Sequence, residues 1–370
     1  MDTPNPLKIG IVGAVGRGAS FRAAFSAHPA TQIHAVCDIQ EARLNEAAQQ
    51  MGAEEAYINY EEMLDRSDVD AVVIGTPMQF HAQQTVMALE RDIHVLCEVT
   101  AGVSLEECQA VVAAANRSHA VYMMAENYAY IKSNILVREL VQQGLFGELY
   151  YAEGEYLHEL KALNEATPWR RRWQTGIDGI TYPTHSLGPV LQWMEDRVVR
   201  IACEGSGHHY RDPRGNLYEN QDSVVMLGKT AKDGLVKIRV DMLSNRPHAM
   251  TNYQLQGTHG CYESARSDLE ANKIWLDAVC PDPHTWISLE ELEADYLPEM
   301  WRNPPEAARK AGHGGGDYFE VLDFINSIVH GTPCPIGVHE AMDMTLPGLI
   351  SEASISNNGA WLDVPDSRLW

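Results

Sequence analysis

Basic residues are scarce in this chain: 28 Lys and Arg stand against 51 Asp and Glu, a formal net charge of -23. Binding a phosphate backbone needs a local surplus of cations, so nucleic acid is excluded as an expected partner. No apolar run approaches the ~20 residues that a bilayer-crossing helix requires, so no membrane is expected either. Met1 to Pro6 lack a basic segment followed by an apolar stretch. No secretory leader is therefore expected, and a cytoplasmic location is. Cysteines are few and odd in number: Cys37, Cys97, Cys108, Cys203, Cys261, Cys280 and Cys334. With no C-x-x-C pair among them, a disulfide framework, a redox dithiol and a zinc site are all disfavoured, and they read as reduced and mostly buried. No His/Asp/Glu constellation suggests a metal; His208 and His209, taken as strand neighbours, would face opposite ways. A Gly-x-Ser-x-Gly nucleophile turn, an internal repeat and a low-complexity linker are also missing.

What remains is a globular composition, 45% hydrophobic and 21% charged over 370 residues, long enough for two or three domains. From residue 7 to about 125, short β-branched runs alternate with helical segments, the pattern of a parallel sheet with crossover helices. The runs begin at Leu7, Ile33, Ala71, His94 and Val121. Ala19 to His28, Phe80 to Glu90 and Leu105 to Arg117 have helical composition. After a helix over 133–143 the rhythm changes to long alternating strands beginning near Tyr150, Val198, Asp222, Leu235, Asn252 and Lys273, and these predict a mainly antiparallel, open-faced sheet. Helices over 317–330 and 339–355 close the chain. The expected organisation is an α/β Rossmann-type domain over 1–125, followed by an α+β substrate-binding and oligomerisation domain over 126–370.

The turn after the first strand, Gly13-Ala14-Val15-Gly16-Arg17-Gly18, holds the first and third glycines of G-x-G-x-x-G, with Val15 in the second place. A dinucleotide needs a tight turn there, so that its pyrophosphate can approach the backbone amides. Asp38 ends the second strand, where a carboxylate accepts from adenosine ribose hydroxyls and repels a 2′-phosphate. NAD is therefore expected over NADP. Thr76, His81 and Glu98 follow later strands at the same carboxyl edge, where ligands of open α/β sheets bind. A cap or turn role remains the plain alternative for each.

These residues, with Cys97-Glu98, Glu126-Asn127-Tyr128 and Gly147-Glu148-Leu149, resemble the glucose-fructose oxidoreductase and inositol dehydrogenase (Gfo/Idh/MocA) superfamily. The resemblance implies that Asn127 also meets the cofactor. Dehydrogenases of that superfamily continue Cys97-Glu98 as Lys-Pro and place an Asp four residues before the substrate-domain histidine. Here Val99-Thr100 and Thr181 stand instead. Those departures, together with Gln143 to Leu149, Tyr156-Leu157-His158, Trp169-Arg170-Arg171, Tyr182-Pro183-Thr184-His185 and Gly312-His313-Gly314-Gly315, resemble glycoside hydrolase family 109, the NAD-dependent glycosidases of the superfamily. The run Thr100 to Gly102 departs from that family's pattern.

That resemblance implies a glycoside substrate and a cycle of transient C3 oxidation, C2 deprotonation, elimination, water addition and re-reduction. Such a route needs acid–base groups tuned near working pH. His185 is the first candidate for proton transfer or C3 orientation, and Tyr182 and Tyr156 are candidates for the C2 base, since a phenol near a cation is acidified. His158 alternates with Tyr156 and lines the same region. Trp169, Arg170 and Arg171 form the one dense basic cluster and would read an anionic substituent, or else serve as a solvated loop or subunit contact. His313 reaches the site, or Asp317 simply caps a helix. An NAD-dependent sugar or cyclitol dehydrogenase, and a cofactor-binding protein without activity, remain the competing readings. The large exposed sheet face predicts a homodimer or homotetramer.

Overall fold

The computed structural model describes residues 6–370; the leader expectation for residues 1–5 lies outside them. By internal contacts the chain forms two compact units. The first comprises Met1–Tyr130, Pro304–Met342 and Ser367–Trp370; the second comprises Ile131–Asn303 and Asp343–Asp366. Two late segments thus group with the N-terminal residues, which no boundary drawn once along the sequence represents.

The first unit carries a six-stranded parallel sheet, β1 (Leu7–Val12), β2 (Thr31–Cys37), β3 (Glu55–Tyr57), β4 (Ala71–Ile74), β5 (His94–Glu98) and β6 (Tyr122–Ala125), in the order β3-β2-β1-β4-β5-β6. The order reverses at β1, which pairs β2 on one side and β4 on the other, so the β1 turn stands at the topological switch point. All four residues of β4 are buried, as a strand covered on both faces must be. Crossover helices Leu105–Arg117 and Tyr60–Arg66 begin at Ser104 and Asn59, whose side chains accept from backbone amides of the first turn.

In the second unit nine strands run β14-β13-β12-β11-β7-β10-β9-β8-β15. Their ranges are β7 (Leu149–Leu157), β8 (Val198–Gly205), β9 (Val224–Thr230), β10 (Leu235–Asp241), β11 (Met250–Gly257), β12 (Gly260–Glu263), β13 (Lys273–Leu276), β14 (Ile287–Ser288) and β15 (Leu362–Asp363). Every pairing is antiparallel except β7 with β10. Helix Thr184–Met194 lies against β7 at Gly154, where a Cβ would come within 1.8 Å of the Ser186 carbonyl oxygen. Ten of its eleven residues are buried, so it shows no amphipathic period. Pro168–Trp173 is a short helix, not a loop. His208 and His209 lie outside any strand, so strand alternation does not govern them; His209 is held by Asp222.

Among the described residues no helix is long and apolar enough to cross a membrane, and no group of three His, Cys, Asp or Glu side chains is arranged to hold a metal ion.

Candidate active site

Two clusters of functional side chains form, one within each unit. In the first, Gly13 takes φ +77°, and a Cβ there would lie 2.4 Å from the Gly75 carbonyl oxygen; one on Gly18 would lie 2.7 Å from the Val12 carbonyl oxygen. Gly13 is required by the close approach of the turns after β1 and β4, and Gly18 by the packing of its own turn back onto the end of β1. A Cβ on Gly16 would meet nothing nearer than 3.7 Å, so the protein's own packing does not demand glycine at that position. Asp38 follows β2 and accepts from the Val15 and Gln40 amides, each at 2.9 Å. Val15 therefore serves the turn through its backbone, which explains why a side chain is tolerated there.

Arg17, from the same turn, forks onto Asp317 at 2.8 and 3.1 Å and reaches Glu98 at 2.5 Å. Burial works against the guanidinium charge, but Glu98 and Asp317 more than offset it and its pKa rises. Burial likewise opposes ionisation of Asp317, yet hydrogen bonds from His313 and Arg17 hold its carboxyl below the ordinary range. Asp317 is not a helix cap: Gly315 occupies that position in helix Gly316–His330, and the carboxylate is committed to Arg17, His313 and Asn127. The Asn127 side-chain NH2 donates to Asp317 at 3.3 Å, while its Oδ1 is buried without a partner. That orphan acceptor, the room at Gly16 and the Asp38 carboxylate fit a dinucleotide bearing a carboxamide. Glu320, one turn beyond Asp317, is completely buried with both oxygens unpartnered. Desolvation, with Asp317 and Glu98 nearby, pushes its pKa well up. Sequence reasoning missed it, although a lone carboxyl between Phe319 and Val321 on a buried helix face was a visible signal.

His81 is 1% exposed, with its ring nitrogens 2.9 Å from the Thr100 carbonyl oxygen and 2.8 Å from that of Thr76. It is a strut between two turns. Burial lowers its pKa against those two backbone bonds. Thr76 donates its hydroxyl to Gln84. Val99, where a lysine would stand in a dehydrogenase, is buried, and Thr100 donates to the Gly102 carbonyl.

The second cluster is aromatic. Tyr156 near the end of β7, Tyr182, and His185 in the first turn of helix Thr184–Met194 have ring centroids 5.0 to 5.5 Å apart. The Tyr156 hydroxyl lies 2.8 Å from Nδ1 of His158, whose ring in turn meets His248 at 5.3 Å, edge to face. Burial, His248, Arg170 and His185 together bring His158 down to about 4, so its ring is neutral at pH 7 and its Nδ1 accepts a hydrogen bond from the Tyr156 hydroxyl. Tyr253 donates its hydroxyl to the His185 carbonyl at 2.5 Å and fixes that turn. Sequence reasoning brought Tyr156, His158, Tyr182 and His185 together but missed His248, which comes from an irregular segment without a motif.

The basic cluster divides. Arg171 stacks over Tyr218 at 4.6 Å, donates to Glu219 and to the Leu217 carbonyl, and lies 3.6 Å from Asp212, so it fastens the loop over 212–219. Arg170 stacks over Trp169 at 4.4 Å and donates to Gln174, with its Nε buried and unpartnered. His313, expected near the substrate, lies in the first unit's charged cluster, 5.9 Å from the Tyr128 ring.

Residues 7–126 match the oxidoreductase family with an NAD-binding Rossmann fold, and residues 130–368 match the C-terminal domain of glycosyl hydrolase 109. A glycosyl hydrolase family 109 protein of Saccharopolyspora erythraea is 32% identical over 97% of this chain and 83% of its own length. The alpha-N-acetylgalactosaminidase of Shewanella oneidensis is 28% identical over 97% and 84%. Among solved structures, an oxidoreductase domain protein from Kribbella flavida superposes with TM-score 0.83 at 20% identity, covering 98% of this chain and 100% of that one. A levoglucosan dehydrogenase in complex with NADH and levoglucosan gives 0.82 at 19%, covering 98% and 100%. At such identities these two show the fold alone.

Proposed function

The chain belongs to glycosyl hydrolase family 109, and on that premise we propose that it is an NAD-dependent glycosidase that breaks its substrate by oxidation, elimination and hydration. The observation that carries this reading is the cluster Tyr156, Tyr182, His158 and His185, which brings proton-transfer groups together. NAD, bound by the glycine turn, Asp38, Glu98 and Asn127, would supply a hydride acceptor for the sugar C3 and return the hydride at the end of each turnover. Tyr156 removes the C2 proton, because its phenol is 4% exposed and already bonded to a neutral imidazole. His185 handles the C3 hydroxyl proton, and Tyr182 orients the ring beside it.

Arg170, with an unpartnered buried Nε and close enough to His158 to depress its basicity, favours an anionic substituent on the glycoside. The half-exposed Val225 and Leu227 of β9 support a homodimer or homotetramer.

Incubation with aryl and natural glycosides in deuterated water, anionic sugars included, tests the proposal. Free sugar with deuterium at C2 and no net NADH is expected. NADH formed in proportion to an intact glycoside would instead establish a dehydrogenase.

A further inference from the structure

Resting on the glycosidase reading, we propose that His248 is a positioning residue that completes a proton relay, Tyr156 to His158 to His248, leading from the buried C2 base to solvent. Accessibility rises along this path: Tyr156 is buried, His158 is intermediate and His248 is exposed. The first link is a 2.8 Å hydrogen bond and the second an edge-to-face contact between the two imidazoles. The segment that carries His248 is tethered upstream of it. Lys161, three residues after His158, donates from Nζ to the Leu243 carbonyl at 2.5 Å and to Asn245 at 2.8 Å. Its ammonium also sits 4.5 Å over the Tyr210 ring, whose hydroxyl accepts from the Asn245 amide. Residues next to His158 therefore hold the segment that delivers His248.

The chemistry balances. Tyr156 gives its phenolic proton to His158 Nδ1, and His158 releases the proton on Nε2 to His248, which passes it to solvent. The phenolate then takes the C2 proton of the 3-keto sugar. The C2–H electron pair becomes the C1–C2 double bond, the C1–O bond breaks, and the departing oxygen takes a proton from solvent. When water adds back across C1–C2, the relay runs in reverse and C2 receives a solvent proton. A neutral imidazole can take a proton on Nδ1 as it releases one from Nε2, so His158 passes the proton on without holding the charge. The charged or titratable groups around His158 are His248, Arg170, His185 and Glu159; Glu159 alone favours its protonation. Removing His248 thus shortens the path and raises the basicity of the middle group.

Three readouts test this on the full chain. In His248→Phe, with His248→Gln as a smaller replacement should Phe misfold, NMR of isotopically labelled histidine should show the His158 titration moving up from about 4. With a glycoside cleaved by the wild type in deuterated water, the variant's product should carry less deuterium at C2, because a proton with no exit returns to its carbon. Turnover should fall by roughly 10- to 100-fold and recover on adding free imidazole. An unmoved His158 titration overturns the proposal, and so does full deuterium content at C2. If the wild type binds NAD but cleaves no glycoside, the glycosidase reading fails and the relay with it; cleavage with full deuterium content in the variant overturns the relay alone.

Discussion

A proton held at Glu320 makes stability depend on pH in a direction opposite to that of ordinary paired carboxylates. Its side chain is completely buried, neither oxygen has a partner, and burial with neighbouring Asp317 and Glu98 pushes its pKa well above the ordinary carboxylate range. The folded state therefore binds a proton that the unfolded chain has released above about pH 4.5. Stability from this group is full below that pH and falls as pH rises toward the folded pKa, by about 1.4 kcal/mol per unit. Glu320→Gln has no proton to hold. Its buried amide costs about 1–3 kcal/mol for want of partners, but that cost is independent of pH. Urea unfolding read by hydrogen exchange in peptides from β1 and β5 should show wild type and variant diverging steadily from pH 5 to 8, with the variant gaining. Histidines that titrate in the same window contribute equally to both proteins. Parallel curves would refute the reasoning and mean that Glu320 ionises normally in the fold.

Replacing Asp38 by Asn should weaken NAD binding about 10-fold or more, as expected for loss of a charged hydrogen-bond acceptor, and calorimetry reads it directly. Because Ile39 beside it is 88% exposed, Asp38→Ser with Ile39→Arg should carry the preference toward NADP, measured as the ratio of the two dissociation constants. Arg17→Met strands the buried Asp317 and Glu98 carboxylates and should cost about 3–5 kcal/mol, with Asp317→Asn restoring part of it in the same background; thermal unfolding checks both. Tyr156→Phe should lower turnover by about 10²- to 10⁴-fold while leaving NAD affinity unchanged, which separates a chemical role from a packing one.

The parallel sheet and the cofactor turn were legible because their constraints are local. Gly13, Gly18 and Asp38 sit within a few residues of strand ends, and backbone geometry alone dictates them. The strands of the second unit were legible from alternation, yet helix Thr184–Met194 escaped notice, since Gly188 and Pro189 are poor helix formers and ten of its eleven residues are buried, leaving no polar face to mark it. What neither period nor motif conveys is a partnership across sequence distance. Arg17 and Asp317 lie 300 residues apart, so nothing near Asp317 distinguishes an ion-pair partner from a cap, and the cap was the wrong choice. The same holds for Arg170 and Arg171, adjacent in one helix. The first turns to Trp169 and Gln174, while the second is absorbed by Asp212, Tyr218 and Glu219. His248 is the limiting case: its segment has no periodicity, Lys161 tethers the residues before it, and its place beside His158 shows only in the ring contact. Chemistry-bearing residues on regular elements are thus announced by their neighbours in sequence, whereas those on irregular segments become visible only through the long-range contacts that hold them.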